Sequence, residues 1–248
     1  MLSENQRERY ARHIMLENMG ESGQEKLLAG TVMVIGAGGL GSPIALYLAA
    51  AGVGTIGIAD SDRVELSNLQ RQIAHHTADL GRPKVDSARE KMAAMNPDVT
   101  VLTFPTRVDA TNTADIIAGF DFVIDATDNF AAKFLINDAC VAAGKPFSHG
   151  GILRFDGQTM TVLPGTSPCY RCIFPEPPEN DEVATACSRA GVMGVLPGVI
   201  GTIQATEAIK YLLGIGELLT GRLLTYSALA LKFREVPIRK KTTCPACG

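Results

Sequence analysis

The chain has 248 residues, of which 46% are hydrophobic and 20% are charged, and its formal net charge is −3. This balance is typical of a globular protein with a sizeable core, and the length suits one domain. The small net charge, without a basic run, argues against a nucleic-acid or membrane surface. The sequence contains no apolar run of about 18 residues, so no membrane-spanning helix is predicted. The charged N-terminus does not resemble a secretory signal. We therefore expect a cytoplasmic protein.

Helical and strand patterns alternate from the N-terminus onward. Residues 3–29 predict one or two helices, and the short apolar run at 31–35 predicts the first strand. A glycine-rich turn, a helical pattern over 42–51 and a second apolar run at 55–59 follow. Strand, tight turn, helix and strand together form a βαβ unit, which implies a parallel sheet.

The alternation continues to the end of the chain. Further helices are predicted at 84–94, 113–118, 132–143 and 199–213, and further strands at 99–104, 120–125, 158–163, 222–226 and 232–237. The alternating polarity of residues 158–163 favours an antiparallel strand. We therefore predict an α/β fold with a Rossmann-like, doubly wound and mostly parallel sheet that is continued by antiparallel strands. Residues 174–191 contain prolines, one glycine and several acids, and they predict a mobile loop.

The turn after the first strand has the glycine spacing of a phosphate-binding loop. It has the sequence Gly36-Ala37-Gly38-Gly39-Leu40-Gly41. Glycines let the backbone approach a phosphate, and the N-terminus of the next helix offers free N–H groups. Asp60 lies 19 residues beyond Gly41, at the end of the second strand, where a carboxylate can bind ribose hydroxyls. Taken alone, this pattern favours a dinucleotide such as NAD.

Two later features do not fit a nicotinamide enzyme. Arg71 and Lys84 are cations that could lie over phosphates at the carboxyl edge of the sheet, although either could be a solvated surface charge. Asp128 follows the strand that ends at Asp125, so it points to the same crevice as the glycine loop. A carboxylate that faces phosphates needs a cation between them, and Mg²⁺ commonly shares its oxygen ligands with phosphates. Asp128 is therefore a candidate magnesium ligand. Asp125 could equally be the ligand, and either acid could merely cap the next helix.

Four of the six cysteines form two Cys-x-x-Cys pairs, Cys169 with Cys172 and Cys244 with Cys247. Two such pairs can supply four thiolates to a tetrahedral zinc ion, and a closed four-thiolate site is structural. We therefore predict a zinc site that clamps the C-terminal tail against the middle of the chain. Two independent redox pairs are the alternative, but neither pair lies in a thioredoxin-like βαβ context.

Two further motifs accompany these features, Arg9-Tyr10-Ala11-Arg12 and Ser67-Asn68-Leu69-Gln70-Arg71-Gln72. The ordered set resembles the ThiF/MoeB/HesA group of sulfur-carrier adenylyltransferases, in the ubiquitin-activating-enzyme superfamily, over essentially the whole chain. The resemblance implies that ATP and Mg²⁺ bind, and that a ubiquitin-like carrier of the MoaD or ThiS type is adenylated at its C-terminal Gly-Gly carboxylate with release of pyrophosphate. The acyl-adenylate would serve thiocarboxylate formation in molybdopterin, thiamine or related sulfur-transfer biosynthesis.

The resemblance also implies roles for single residues. Arg71, Lys84 and Asp128 would act on the phosphates and Mg²⁺, and Arg12 would reach the ATP of the partner subunit in a homodimer. The implied ATP-binding residues are Gly36, Gly38, Gly39, Gly41, Asp60, Asp62, Ser67, Asn68, Arg71, Lys84, Asp128 and Asn129. One domain would then contain an N-terminal helical arm (1–30), a nucleotide-binding part (31–165) and a carrier-binding, zinc-clamped part (166–248). A separate protein would donate the persulfide sulfur.

Two residues keep open roles at this point. Cys187 lies in the predicted mobile loop, and the resemblance implies either a covalent link with the carrier or a spectator thiol. The charge of Arg189 could favour the thiolate of Cys187. His149 lies at the end of a predicted strand and could contact the tail of the carrier, although a packed, hydrogen-bonded histidine is the more common case.

Three alternative functions also stay open. Adenylation of a tRNA-base carboxylate uses the same fold and ATP, but bound RNA favours a basic surface, whereas the net charge here is −3. An NAD-dependent oxidoreductase explains the glycine loop and Asp60, but leaves Arg71, Asp128 and the four thiolates without a role. A non-catalytic scaffold that binds a carrier would need neither Arg71 nor Asp128. Adenylation itself needs no general base, because a glycine carboxylate is already ionised at about pH 7.

Overall fold

The computed structural model describes residues 1–177 and 190–248. Three short helices form the N-terminal arm: α1 (Glu4–Arg9), α2 (Ala11–Ile14) and α3 (Gly20–Ala29). Helix α1 begins with a capping box, because the Ser3 hydroxyl accepts a hydrogen bond from the Gln6 N–H and the Gln6 side chain accepts one from the Ser3 N–H. The sequence predicts one or two helices here. A third arises because the chain leaves the helix at Tyr10, whose buried hydroxyl accepts from Asn96 over 2.8 Å.

One eight-stranded sheet runs through the described part of the chain. Its strands are β1 (Thr31–Ile35), β2 (Thr55–Ala59), β3 (Thr100–Phe104), β4 (Phe122–Asp125), β5 (Phe147–Leu153), β6 (Asp156–Val162), β7 (Arg222–Ser227) and β8 (Lys232–Pro237). Their order across the sheet is β3-β2-β1-β4-β5-β6-β7-β8. Strands β1 to β5 pair in parallel, whereas β6, β7 and β8 pair antiparallel. The predicted parallel sheet with an antiparallel continuation is confirmed.

Helices cover both faces of this sheet. The remaining helices are α4 (Gly41–Ala51), α5 (Lys84–Met95), α6 (Thr113–Ala118), α7 (Phe130–Ala142), α8 (Tyr170–Ile173) and α9 (Leu196–Leu213). Buried side chains of α4, α5 and α9 pack on one face, together with Val32 and Val34 of β1. Those of α6 and α7 pack on the other face with the alternating residues Met33 and Ile35. The sheet is therefore doubly wound, as predicted.

Helix α9 differs from its prediction at one end. It begins at Leu196 rather than at residue 199. Pro197 lies in its first turn, where the missing N–H of proline costs no helical hydrogen bond. The sequence pattern used for the prediction began after this proline and so missed the first turn.

The glycine loop fits tightly between β4 and α4. Gly36 has a φ of 107°, a conformation that other residues rarely adopt, and a Cβ atom there would lie 2.6 Å from the Ala126 carbonyl oxygen. A Cβ atom on Gly41 would lie 1.8 Å from the Gly36 carbonyl oxygen. Only glycine permits these two approaches, and they place the N-terminus of α4 beside the carboxyl ends of β1 and β4.

Two sequence predictions concern membrane insertion and the mobile loop. Within residues 1–177 and 190–248, no helix has both the length and the apolar character needed to cross a membrane. Most of the segment predicted as a mobile loop, including Cys187, lies outside the described residues.

Candidate active site

A cavity of about 980 Å³ opens at the carboxyl ends of the parallel strands. Ligands of open α/β sheets bind at this edge. One end of the cavity is lined by the glycine loop and the segments after β2 and β4, and the other end reaches the antiparallel strands. The predicted ATP-binding residues that line it are Gly36, Gly38, Gly39, Asp60, Asp62, Arg71, Lys84, Asp128 and Asn129. Gly41, Ser67 and Asn68 lie outside its lining.

Asp60 and a buried histidine hold the glycine loop from two sides. The Ala37 N–H donates to Asp60 Oδ2 over 2.8 Å, and His75 Nε2 donates to the Ala37 carbonyl over 2.9 Å. Since His75 carries its proton on Nε2, its Nδ1 accepts from the Ser87 hydroxyl over 2.9 Å. Burial, together with the nearby Lys84 charge, lowers the pKa of His75 below its ordinary value, so the ring is neutral. No sequence signal marked His75 as part of this site.

Arg71 and Lys84 reach the cavity as the sequence predicts. Lys84 is the first residue of α5, and its largely buried ammonium lies 2.9 Å from Asp62 Oδ2. Arg71 is half-buried and donates from Nη1 to the Ser67 carbonyl over 3.1 Å. The Asn68 side chain accepts a backbone N–H of the same turn over 3.3 Å. Ser67 and Asn68 therefore shape the turn that carries Arg71.

The two acids after β4 occupy different environments. Asp128 is exposed in the cavity. Asp125 is fully buried, and its carboxylate contacts Lys133 Nζ at 3.2 Å, His149 Nδ1 at 3.0 Å and Thr127 Oγ1 at 2.6 Å. Burial alone would raise the pKa of Asp125, but the Lys133 charge and the His149 hydrogen bond hold it well below its usual range. Because Asp125 is engaged inside the protein, this geometry favours Asp128 as the candidate metal ligand.

Sequence reasoning missed two residues of the cavity wall, Lys133 and Tyr170. Lys133 is a basic residue among apolar neighbours in the first two turns of α7, which is a signal that could have found it. Tyr170 lies inside the first Cys-x-x-Cys pair, and its ring centroid is 4.5 Å from that of His149. His149 is itself buried between Tyr170 and Asp125. It is therefore a packed, hydrogen-bonded histidine in this structure.

The four paired cysteines meet in space. Their sulfur atoms all lie within 4.8 Å of one another, with 3.6 Å between Cys169 and Cys244 and 3.5 Å between Cys172 and Cys247. Sulfur atoms bound at about 2.3 Å around a tetrahedral zinc ion are about 3.8 Å apart. The donor set and its spacing therefore fit a thiolate-bound metal ion, and the predicted four-cysteine cluster is confirmed.

The cavity lining does not include Arg12, which the sequence predicts to be catalytic. Arg12 is exposed on α2, away from the cavity lining. Cys187 belongs to the segment 178–189, outside the described residues.

The fold and the cavity define an α/β protein of the Rossmann-like class with a glycine-loop site. The ThiF family matches residues 10–246, and the chain belongs to this family. The crystal structure of E. coli MccB is similar in fold, with a TM-score of 0.86 at 22% sequence identity, over 97% of this chain and 72% of MccB.

Similar sequences carry related names. A SAMP-activating enzyme E1 of Haloferax volcanii is 50% identical over 247 residues, which cover 100% of this chain and 91% of the relative. A sulfur carrier protein adenylyltransferase of Thermus thermophilus is 47% identical over 246 residues, with coverage of 97% and 90%. The probable adenylyltransferase/sulfurtransferase MoeZ of Mycobacterium tuberculosis is 46% identical over 248 residues, which cover 98% of this chain and 63% of MoeZ. The family predicted from the motifs is confirmed.

The two buried histidines, His75 and His149, predict a pH-dependent stability. Burial lowers the pKa of both, so the unfolded chain binds protons more readily than the folded one as the pH falls. Their contribution to the free energy of unfolding is therefore complete above about pH 6.5, the ordinary pKa of histidine, and is lost as the pH falls below it. Denaturant unfolding between about pH 5 and 7.5 measures this slope.

Replacement of His75 measures its contribution to the pH dependence of the free energy of unfolding. We expect His75→Gln to reduce the slope by up to about 1.4 kcal/mol per pH unit. The neighbouring His76 is exposed, and the slope of His76→Gln is the comparison for that of His75→Gln. An unchanged slope in His75→Gln would show that His75 is protonated equally in both states.

Proposed function

We propose that this protein is an ATP-dependent adenylyltransferase that joins AMP to the C-terminal Gly-Gly carboxylate of a ubiquitin-like sulfur carrier protein and releases pyrophosphate. One observation carries the proposal. One end of a single cavity is lined by the glycine loop, the cations Arg71 and Lys84 and the exposed acid Asp128. The other end extends along the antiparallel strands. The names of similar proteins, which describe adenylyltransferases and a sulfur carrier, support the same reaction.

The nucleotide would bind at the glycine-loop end. The loop and the N-terminus of α4 offer backbone N–H groups to the phosphates. Asp60 would bind the ribose hydroxyls. Each Asp60 oxygen already accepts one backbone N–H, from Ala37 at 2.8 Å and from Asp62 at 2.7 Å, which fixes the carboxylate plane. Each oxygen keeps further acceptor capacity for a hydroxyl donor.

The cations would offset the charge that the reaction brings together. An anionic carboxylate must approach the phosphates, and negative charge gathers on the departing pyrophosphate. Arg71 and Lys84 face this region, and the phosphates would replace Asp62 as the partner of Lys84. Asp128 would hold Mg²⁺, which supplies further positive charge to the phosphates. Because the attacking carboxylate is already ionised, these residues act by positioning and electrostatics rather than by proton transfer.

The tail of the carrier would enter along the other arm of the cavity. Gly151, Leu153 and Gln158 line this arm from β5 and β6, and Tyr226 lines it from β7. A Gly-Gly terminus has no side chains, so it can lie close to such a wall. A separate persulfide donor would then supply sulfur to the activated carboxylate. An NAD-dependent oxidoreductase would leave Asp128 and Arg71 without a role, and is not favoured.

Exchange of labelled pyrophosphate into ATP tests this function. We expect Mg²⁺-dependent exchange with an intact Gly-Gly carrier from the same genome, and no exchange with a copy that lacks the last glycine. Asp128→Ala should reduce the exchange rate at least about 100-fold with an unchanged melting temperature, because it removes the acid that would hold Mg²⁺.

The exposed acid Asp115 on α6 is a suitable control, since Asp115→Ala should exchange at the wild-type rate. Asp128→Ala exchanging as fast as Asp115→Ala would remove Asp128 from the mechanism. Folded, metal-loaded protein that exchanges with no carrier, but does so with bulk tRNA, would instead favour adenylation of a tRNA-base carboxylate.

We further infer a homodimer in which Arg12 acts in the cavity of the partner subunit. The exposed position of Arg12, away from its own cavity, supports this arrangement. Arg12→Ala and Asp128→Ala should each be inactive alone. A mixture of the two that is allowed to exchange subunits should recover about a quarter of wild-type activity, because each mixed dimer contains one complete site.

The same mixing experiment distinguishes this arrangement from one in which Arg12 acts within its own chain. If Arg12 acts within its own chain, every site in the mixture carries one of the two changes and no activity returns. Recovery of untagged wild-type chains together with affinity-tagged Asp128→Ala chains from such a mixture is the control for subunit exchange itself.

We also propose that the four-cysteine cluster holds zinc. Purified protein should carry about one zinc ion per chain. Cys244→Ser should lose this metal and lower the melting temperature by about 10 °C or more, because the tail is no longer clamped. Cys140→Ala is the control, since this buried cysteine of α7 lies outside the cluster and its variant should keep the full metal content. Full zinc content in Cys244→Ser would rule out a four-thiolate site.

A further inference from the structure

Lys133 makes a set of contacts that the proposed chemistry does not use. It lies one turn inside α7 and is only 7% exposed. Its ammonium contacts Asp125 Oδ2 at 3.2 Å, the Thr127 carbonyl at 2.7 Å and the Gly150 carbonyl at 2.5 Å. A lysine ammonium has three N–H donors, so these three acceptors satisfy it completely.

The three acceptors come from chain segments that meet at the cavity. Asp125 ends β4, Thr127 lies in the loop between β4 and α7, and Gly150 lies in β5. Lys133 therefore joins the ends of two adjacent strands to the loop that carries Asp128. This contact crosses from α7 to the sheet at the place where the sheet edge becomes the cavity wall.

Contacts of its two neighbours, Thr127 and Asn129, hold the backbone at Asp128. On one side, the Thr127 carbonyl binds Lys133, and the Thr127 N–H and hydroxyl donate to Asp125 Oδ1 at 3.0 and 2.6 Å. On the other side, Asn129 caps α7 by accepting the Ala132 N–H over 2.9 Å. The backbone of Asp128 is thus fixed on both sides while its side chain stays in the cavity.

The charge of Lys133 is not available to a phosphate. Its ammonium is paired with the buried Asp125 carboxylate, and its three donors are occupied. His149, the other partner of Asp125, is neutral because burial and the Lys133 charge lower its pKa. The cluster of Asp125, Lys133 and His149 is therefore close to neutral overall, unlike Arg71 and Lys84.

We propose that Lys133 is a positioning residue that fixes the 126–129 loop, and so sets where Asp128 presents its carboxylate to Mg²⁺ beside the nucleotide. This inference rests on the proposed function for the identity of the ligand. Lys133 acts through its contacts with Thr127, Asp125 and Gly150, and it touches neither the nucleotide nor the metal ion.

The Mg²⁺ dependence of ATP binding tests the proposal without a carrier. In the full-length protein, calorimetry of ATP binding at a series of Mg²⁺ concentrations gives the concentration at half-maximal binding. We expect Lys133→Met to raise this concentration about 10-fold or more, the usual effect of removing a partner that orients a metal ligand. Lys133→Arg keeps the charge but directs its donors differently, so we expect it to recover part of the loss.

Lys145 offers a matched control. Its ammonium also ties backbone segments together, by donating to the Ala118 and Phe120 carbonyls over 2.6 and 2.9 Å, but it lies outside the cavity lining. Lys145→Met should lower stability without moving the Mg²⁺ dependence. If Lys133→Met alone does not fold, Lys133→Met combined with Asp125→Asn removes both buried charges and is compared in the same way.

The outcomes separate this inference from the proposed function. An unchanged Mg²⁺ dependence in the Lys133 variants, or an equal shift in Lys145→Met, would overturn the positioning role. ATP binding by the wild-type protein that does not depend on Mg²⁺ would overturn it as well. Mg²⁺-dependent ATP binding without carrier-dependent exchange would instead contradict the proposed function, and a selective shift in Lys133→Met would still support the role of Lys133.

Discussion

The close approach of the glycine loop to the end of β4 is the constraint on which the site depends. Gly36 leaves no space for a side chain against the Ala126 carbonyl, and Gly41 leaves none against Gly36 itself. These contacts bring the start of α4 and the segment 126–129 to the same edge of the sheet. The N-terminus of α4, a candidate phosphate-binding site, and the candidate metal ligand Asp128 therefore lie at one edge of the sheet because two glycines permit close backbone contacts.

The ionisable groups of the site fall into two sets with different environments. Asp125, Lys133 and His149 are buried, and the Asp125 carboxylate makes short contacts with both of the others. Asp128 is exposed in the cavity, and Lys84 and Arg71 face the same space. A buried, compensated set resists movement, since separating its charges in a medium of low dielectric constant is costly. Lys84 is buried as well, but its partner Asp62 is exposed and so can give way to a ligand. Asp125 and Asp128 are only three residues apart, yet they belong to different sets, a distinction that charge type alone does not reveal.

Local sequence patterns were sufficient for the features that depend on neighbours along the chain. The βαβ unit, the glycine loop and the two Cys-x-x-Cys pairs follow from residue spacing, and each is found where it is predicted. Residue spacing could not decide whether Asp125 or Asp128 is the candidate metal ligand. Both acids lie at the carboxyl end of β4. Only the folded structure shows that Lys133 of α7 and His149 of β5 contact Asp125 and not Asp128. The role of Lys133 was missed for the same reason.

The cysteine cluster reaches the active site through α7. Cys169 and Cys172 enclose Tyr170, whose N–H donates to Asn137 of α7 over 2.9 Å. Arg171 adds two contacts of 2.7 Å to Asp138 on the same helix. These contacts hold the middle of α7, and Lys133 lies one turn earlier on the same helix. Tyr170 and Lys133 both line the cavity. A metal ion that joins these cysteines to the C-terminal tail would restrain the position of α7 as well as the tail. The cluster joins the C-terminal tail to the segment 169–172, and through α7 it belongs to the framework that surrounds the glycine-loop end of the cavity.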